Sequence, residues 1–243
     1  MNKKILIITN ISKSFENINV LNNISLDVNK GEFISIVGSS GCGKTTLLNI
    51  LSGMDNIFDG LVTKYYDENN IGYMFQESSL FPNLNIYDNA SIGIKIKRLK
   101  DDSIDNLLIK YGLDKFKYNY PDEISGGMKQ RVSLIRCLST KPEIMFLDEP
   151  FSALDYQSRL SISNDVYNIS KEKNITIIMI THDIEEAISL SDRVIVLSKR
   201  PAFIKNIYEI NIDKKISPIK RKKDKLFYKY YQNILKDLDL LEE

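Results

Sequence analysis

Long hydrophobic runs are missing from this 243-residue chain. The longest apolar stretches, such as residues 5–8 and 175–180, fall far short of the roughly 20 residues that a helix needs to cross a bilayer. Glycine and proline are also too few, at 11 and 6, for a collagen-like or low-complexity chain. We therefore expect a folded chain without a membrane span that stays in the cytoplasm.

Cysteine is scarce, and neither sign of charge is in excess. Cys42 and Cys137 form neither a disulfide framework nor the spacing of a metal site, which agrees with a reducing compartment. The 33 basic and 32 acidic residues give a net charge of +1, so global charge does not indicate nucleic-acid binding. The segment 214–225 carries seven basic residues and one acid. We interpret it as a solvated connector in preference to a nucleic-acid or lipid patch.

The order of apolar segments predicts the fold class. Runs rich in Ile, Val and Phe at residues 33–37, 143–148, 175–180 and 193–197 predict strands, and segments of helical length separate the later ones. This order is typical of an α/β fold with a parallel sheet. Residues 3–33 instead predict short strands with Asn-rich turns, and therefore an antiparallel β edge.

The middle and the end of the chain have helical patterns. Strand signals fade between about residues 84 and 140, which predicts a helical subdomain inside a domain of residues 3–205. The helical spacing there is that of Ile104, Leu107, Leu108 and Tyr111. Residues 206–243 comprise the basic segment and an amphipathic helix, which we expect to pack on the body or on a partner. The apolar rows of that helix are Leu226, Phe227, Tyr230, Tyr231, Ile234, Leu235 and Leu238.

A glycine-rich loop joins a predicted strand to a predicted helix at residues 38–45. Its sequence, G-S-S-G-C-G-K-T, fits the phosphate-binding pattern G-x-x-x-x-G-K-[ST]. The glycines allow backbone N–H groups and the helix N-terminus to point at one anion, and Lys44 adds a positive charge near the β and γ phosphates. The Thr45 hydroxyl is a ligand for Mg²⁺. The predicted nucleotide contacts are Gly38, Ser39, Ser40, Gly41, Cys42, Gly43, Lys44, Thr45 and Thr46.

An acidic pair ends the predicted strand 143–148. Asp148 is predicted to hold Mg²⁺, as a carboxylate does in other phosphate-loop enzymes. Glu149 would then lie beside the γ phosphate, where a carboxylate orients or deprotonates the attacking water. Considered alone, two acids before Pro150 also fit a solvated strand end.

A second candidate anion site opens another predicted helix, at residues 124–131. The sequence there is I-S-G-G-M-K-Q-R, in which Ser125 is the predicted cap while Gly126 and Gly127 leave the helix N-terminus bare. A bare helix N-terminus binds anions. Without further context this motif is equally a simple helix cap.

Together these motifs resemble the ATP-binding subunits of ABC transporters over about residues 3–205. Further motifs of that family follow in order: M-F-Q-E at 74–77, D-E-P at 148–150, S-A-L-D at 152–155 and I-T-H-D at 180–183. The resemblance implies a P-loop NTPase fold with a RecA-like parallel core, an antiparallel β edge and a helical insert, which binds ATP and Mg²⁺. It also implies that two subunits enclose two nucleotides, because the signature of one contacts the γ phosphate held by the other. The signature residues are Ser125, Gly126, Gly127 and Gln130.

The same resemblance assigns roles to single residues. It implies that Gln76 contacts Mg²⁺ or the attacking water and senses the membrane partner, and that His182 hydrogen-bonds the γ phosphate. Asp155 would link the two sites across the dimer. Phe15 occupies the place of an aromatic residue that stacks on adenine, and a core Phe on an edge strand is the alternative. Ile124 replaces the usual Leu at the head of the signature, a change that preserves packing.

Three details resemble the importers of nitrate, taurine and aliphatic sulfonates: the segment 75–84, Met128 after S-G-G, and L-S-K-R-P-A at 197–202. We therefore expect ATP hydrolysis coupled to solute uptake through separate permease subunits, a second ATPase subunit, and indirectly an extracytoplasmic solute-binding protein. We expect the chain to lie at the cytoplasmic face of the membrane. We do not expect a nucleic-acid partner. An efflux or lipoprotein-release ATPase and a soluble regulator without a permease are the alternatives.

Overall fold

The computed structural model describes residues 3–99, 104–152 and 154–240. Ala153 of the S-A-L-D motif, residues 100–103 of the predicted helical subdomain and residues 241–243 of the C-terminal segment lie outside these ranges. The strands in chain order are β1 (Lys4–Phe15), β2 (Ile18–Asn29), β3 (Phe33–Val37), β4 (Asp59–Lys64), β5 (Ile71–Met74), β6 (Ile144–Asp148), β7 (Thr176–Ile180), β8 (Arg193–Leu197) and β9 (Ile204–Glu209). The helices are α1 (Lys44–Ser52), α2 (Ile86–Lys97), α3 (Ile104–Lys110), α4 (Gly126–Ser139), α5 (Tyr156–Lys173), α6 (Ile184–Leu190), α7 (Pro218–Arg221) and α8 (Lys225–Asp237).

The central sheet has the strand order β5-β6-β7-β3-β8-β9, and its pairs are parallel except for β8 with β9. All residues of β3, β6 and β7 are buried and most are apolar, as expected of parallel strands that are covered on both faces. Phe33 and Ile34 belong to separate hydrophobic clusters, so successive side chains pack on opposite faces. The predicted α/β fold with a parallel sheet is confirmed. The ends of β3, β6 and β7 meet at one edge, where such sheets bind ligands.

The second sheet is antiparallel, with the order β2-β1-β4. It departs from the expected short strands, because β1 and β2 each run unbroken for 12 residues. The expected turns are irregularities within these strands: Asn10 and Asn23 have φ of 54° and 53°, and each backbone N–H bonds to a serine hydroxyl across the pair. Asparagine adopts this left-handed conformation more readily than most residues, so it occurs at bulges as well as turns.

Between residues 84 and 140 the described residues form α2, α3, α4 and two 3₁₀ turns, at Asp114–Phe116 and Pro121–Glu123. Asn89 of α2 is fully buried and bonds to the Phe81 backbone and the Leu84 carbonyl. Arg136 of α4 in turn donates to the Asn89 carbonyl and amide oxygens at 3.1 and 3.0 Å. These contacts fix the segment that follows β5, and this segment carries Gln76.

The basic segment 214–225 is more than the solvated connector expected from its charge. It contains α7, and Arg221 is fully buried because this short helix turns one face onto α5 and α6. The Arg221 guanidinium donates to the carbonyls of Ser189 and Ser191 at 2.8 and 3.1 Å and lies 5.7 Å from the Tyr167 ring centroid. A buried cation is stable only with such partners.

The C-terminal helix α8 is amphipathic, as its pattern predicts. It packs on α6 and β9, with Phe227 and Ile234 buried in the interface. Leu226, assigned to the apolar rows from the sequence, is 40% exposed. In the described ranges, no helix combines the length and apolar character that a bilayer crossing would require.

Candidate active site

The phosphate loop leads directly from β3 into α1. Gly43 precedes α1 with φ of 123°, and no side chain caps the helix there. A Cβ at this position would lie 2.9 Å from atoms of both Val20 and Leu21, so only glycine fits. The uncapped N–H groups and the positive end of the helix dipole are therefore open to an anion.

Lys44 lies in the centre of this loop and is 7% exposed. Its Nζ donates to the carbonyls of Gly38 and Ser39 at 2.9 and 3.2 Å, so the side chain curls back along its own loop. The Cys42 side chain is buried, and the backbone N–H of Cys42 donates to the Ser39 carbonyl at 3.2 Å. Gly38, Ser39 and Cys42 thus shape the loop.

A cavity of about 490 Å³ lies over the loop. Its lining residues are Phe15, Ile18, Val20, Ser40, Gly41, Gly43, Lys44, Thr45, Thr46, Gln76, Glu149 and Arg200. The volume is that of a small-molecule site. Phe15 is 48% exposed and lines the cavity, so it does not pack in the core, and the Lys13 ammonium lies over its ring at 4.7 Å from the centroid.

Thr45 and Asp148 meet at the base of the site. The Thr45 hydroxyl donates to Asp148 Oδ1 at 3.3 Å, and burial raises the pKa of the Asp148 carboxyl above its ordinary value. A bound cation would offset that burial. Hydroxyl and carboxylate oxygens are ligands that Mg²⁺ prefers, and phosphates or water normally complete its coordination. These two residues therefore suit Mg²⁺.

Glu149, His182 and Gln76 converge at the edge of the cavity. Glu149 Oε2 is 3.1 Å from His182 Nδ1 and 3.5 Å from Gln76 Nε2. Glu149 has φ of 43°, which is rare outside glycine, and its N–H donates to the Ile180 carbonyl at 3.0 Å. Such backbone strain is often found at functional sites. The structure thus brings together the three residues predicted to be catalytic.

The signature residues lie elsewhere on the chain. Ser125 caps α4 by accepting a bond from the Met128 N–H at 3.3 Å. A Cβ on Gly127 would meet the Ser158 hydroxyl at 2.8 Å, which places the start of α4 against α5. Asp155 caps α5 by accepting from the Ser158 N–H at 3.0 Å. Ser125, Gly126, Gly127 and Asp155 are not among the described residues that line the cavity.

Comparison with known proteins identifies the family. Residues 21–152, more than half of the chain, match the family described as ABC transporter. The chain belongs to the ABC transporter family. Its similarity to that family is high over most of its length: it is 40% identical to an uncharacterized ABC transporter ATP-binding protein, YtlC, of Bacillus subtilis (strain 168), over 94% of this chain and 92% of YtlC.

Other ABC transporter proteins support the same assignment. The aliphatic sulfonates import ATP-binding protein SsuB of Bacillus thuringiensis subsp. konkukian (strain 97-27) is 41% identical over 83% of this chain and 82% of SsuB. The dimeric ATP-binding cassette MJ0796, in a post-hydrolysis state with ADP and Pi, superposes with a TM-score of 0.73 at 27% identity, over 85% of this chain and 99% of that one. The resemblance, the P-loop ATPase fold and the predicted enzyme class, an ATPase, are confirmed.

Gln130 occupies a different position from the one expected for an ABC signature residue that contacts nucleotide. It is 2% exposed, and its amide donates to the carbonyls of Pro150 and Gln76 at 2.9 and 3.3 Å. The burial leaves no face for a ligand. We therefore infer that Gln130 connects α4 to the segment after β6 and to the segment that carries Gln76.

Three residues of the cavity are absent from the sequence predictions: Ile18, Val20 and Arg200. Ile18 is directly opposite Phe15 in the register of β1 and β2, so the hairpin brings it to the same site. Arg200 belongs to the S-K-R-P stretch, which the sequence analysis uses only to distinguish branches of the ABC family. The sequence signals that could have placed Ile18 and Arg200 at the site were the predicted role of Phe15 and the S-K-R-P stretch.

An ionic cluster with one buried member, Glu186, lies behind the His182 loop. Glu186 of α6 is 8% exposed, and its Oε2 accepts from the Thr181 hydroxyl at 3.0 Å. Arg159 Nε of α5 lies 3.7 Å from Glu186 Oε1, and Arg159 Nη1 lies 3.5 Å from Asp183 Oδ2. Burial and then the Asp183 charge raise the pKa of Glu186 from 4.5 to about 7. The cluster connects the helices that follow Asp155 and His182.

We expect Glu186→Gln to change how stability depends on pH. The Glu186 carboxyl has a pKa near 4.5 in the unfolded chain and about 7 in the folded chain, so stability is lost as pH rises between these values. At about 1.4 kcal/mol for each pKa unit, the variant should gain up to about 3 kcal/mol relative to wild type from pH 5 to pH 8. Urea unfolding at both pH values measures this gain.

The matched control is Glu185→Gln, one residue earlier. The Glu185 side chain is 51% exposed and pairs with Lys222 at 2.7 Å. Its substitution should leave the pH dependence of the unfolding free energy as in wild type. If the two variants behave alike, Glu186 is not ionising across this range.

Proposed function

We propose that the chain is the ATP-hydrolysing subunit of an importer and couples ATP hydrolysis to solute uptake through a separate permease. The observation that carries this proposal is the convergence of Glu149, His182 and Gln76 beside the phosphate loop. A carboxylate held by two polar side chains at the edge of an anion site is suited to activate water for phosphoryl transfer. The similarity to SsuB, a protein named for import of aliphatic sulfonates, supports import and a small solute of the sulfonate, taurine or nitrate type.

In the proposed reaction Glu149 accepts a proton from the attacking water. His182 and Gln76 both contact Oε2 of this carboxylate, and the unusual backbone of Glu149 keeps the carboxylate at the strand end. Lys44 and the N–H groups at the start of α1 balance the phosphate charge. Thr45 and Asp148, with Gln76, would hold Mg²⁺, which supplies positive charge between the phosphates when bound.

We propose that two copies arranged head to tail complete the site. Ser125, Gly126 and Gly127 present the bare start of α4, and Asp155 presents the start of α5, yet all four lie away from the cavity of their own chain. A second copy related to the first by a two-fold axis would place these four residues over the phosphate loop of the first copy. The dimeric state of MJ0796 supports this arrangement.

The segment after β5 is proposed to receive a short helix of the permease. Phe75 and Phe81 are each 46% exposed there, on either side of Gln76. Exposed aromatic side chains are typical anchors of a protein interface. Through Gln76, a permease bound at this place would be coupled to the nucleotide state of the site. The same contact would hold the chain at the cytoplasmic face of the membrane.

The experiment is mass spectrometry of proteins that co-purify with a tagged Glu149→Gln chain from detergent-solubilised cells in the presence of ATP. We expect an integral membrane permease, whose neighbouring genes should encode an extracytoplasmic solute-binding protein. Recovery of soluble proteins or nucleic acid without a permease would overturn the transport proposal. A permease that lacks a solute-binding protein among its neighbours would favour efflux over import.

A further inference from the structure

The loop at residues 198–203 forms the wall behind the phosphate loop. Its position is fixed by backbone bonds to β2: the Ala202 N–H donates to the Val20 carbonyl, and the Asn22 N–H donates to the Ala202 carbonyl, both at 2.8 Å. Val20 lines the proposed ATP cavity. These backbone bonds hold the 198–203 loop beside the cavity. A side chain that projects from this loop can therefore contact the phosphate loop.

Arg200 projects from this loop to the tip of the phosphate loop. Its Nη2 and Nε donate to the Gly41 carbonyl at 2.6 and 3.1 Å. Within the described part of the chain, Arg200 makes no other hydrogen bond or ion pair, although a guanidinium has five N–H donors. The residue is exposed and lines the cavity together with Lys44. The remaining donors of the guanidinium are thus open to a ligand.

The contact has an electrostatic consequence for a bound anion. A carbonyl at the tip of a phosphate loop places negative charge near the phosphates, and a guanidinium bound to that carbonyl offsets it. Arginine also binds phosphate oxygens with paired N–H donors. The lining of the cavity carries two cations, Lys44 and Arg200, and one acid, Glu149, while Asp148 lies at its base, so Arg200 adds a second positive charge beside a bound anion.

We propose that Arg200 is a nucleotide-binding residue of this chain, a second cation that holds the Gly41 carbonyl and binds the phosphates of ATP. This inference rests on the proposed function, because it adds a residue to the proposed ATP site. It differs from a purely structural role, in which Arg200 would anchor the 198–203 loop without affecting the affinity for phosphates.

The test measures ATP and AMP affinity by calorimetry for wild type, Arg200→Gln, Arg200→Lys and Lys199→Gln. Lys199 is the matched control, since it is the adjacent residue of the same loop, lies outside the cavity lining and pairs with Asp239 at 3.7 Å. Arg200→Gln should weaken ATP binding by about tenfold, in keeping with the loss of hydrogen bonds to a charged group. AMP, which lacks the outer phosphates, should lose less affinity.

The remaining variants separate charge from structure. Arg200→Lys should recover part of the lost affinity because the charge is retained, and Lys199→Gln should bind as wild type does. The salt dependence of ATP affinity should be shallower in Arg200→Gln than in wild type. Wild-type affinity in Arg200→Gln, or an equal loss in Lys199→Gln, would overturn the inference. Absence of ATP binding in the wild-type chain would instead overturn the proposed function.

Discussion

Glu149→Gln is expected to bind ATP and to stop hydrolysing it. The substitution keeps the size of the side chain and its contacts with His182 and Gln76, but it removes the group that accepts a proton from water. Loss of a general base typically lowers kcat by about 100-fold to 10,000-fold. Phosphate release measures turnover, and calorimetry measures ATP affinity, which should stay near the wild-type value. Because turnover no longer opens the dimer, ATP should also shift the variant to the dimeric size in light scattering.

Glu143→Gln is the matched control for this prediction. Glu143 immediately precedes the same strand, β6, where it pairs with Lys30 at 2.9 Å, far from the cavity. This variant should hydrolyse ATP at the wild-type rate and should not accumulate as a dimer. Hydrolysis by Glu149→Gln at the wild-type rate would show that another group is the base, with His182 the first to examine.

The sequence predicts the buried strands well because their physical signal is local. β3, β6, β7 and β8 are mostly apolar, because strands of a parallel sheet are covered on both faces. Their own residues are therefore enough to predict them. The exposed edges carry no such signal. β4 has three exposed residues and begins with Asp59 and Gly60, yet it becomes a strand by pairing with β1 from far along the chain. β9 likewise forms by pairing with β8.

The site residues differ in the same way: some belong to a local sequence pattern, and others depend on contacts with distant parts of the chain. The phosphate loop is one contiguous stretch, so its pattern alone predicts an anion site between β3 and α1. Gln130, Arg200 and Arg221 act through contacts with backbone carbonyls that lie 20 to 159 positions away, and no local pattern encodes these partners. A charged or amide side chain on a helix or loop is most often solvated. Only the tertiary path of the chain shows which carbonyls these three side chains bind, and that Gln130 and Arg221 are buried.

Lys44→Ala is expected to eliminate measurable ATP binding. Lys44 is nearly buried at the centre of the phosphate loop, so its charge acts on the phosphates with little screening by solvent. Loss of that charge should weaken ATP binding by at least about 100-fold, since hydrogen bonds to charged groups contribute about 1.5–3 kcal/mol and the lost Coulomb attraction adds to this. Thermal unfolding measures the effect: ATP at 100 times the wild-type Kd stabilises wild type by about 2.7 kcal/mol and should stabilise the variant by no more than about 0.4 kcal/mol.

The loop contacts of Lys44 make a second readout necessary. Its Nζ bonds to the Gly38 and Ser39 carbonyls, so removal of the side chain also loosens the loop. The unfolding midpoint without nucleotide reports that structural loss, while the shift caused by ATP reports binding alone. Lys30→Ala is the control, because the Lys30 side chain is 40% exposed and bonds outside the cavity, to Glu143. Wild-type stabilisation of Lys44→Ala by ATP would contradict the phosphate-loop assignment, since no other described cation of the site lies inside this loop.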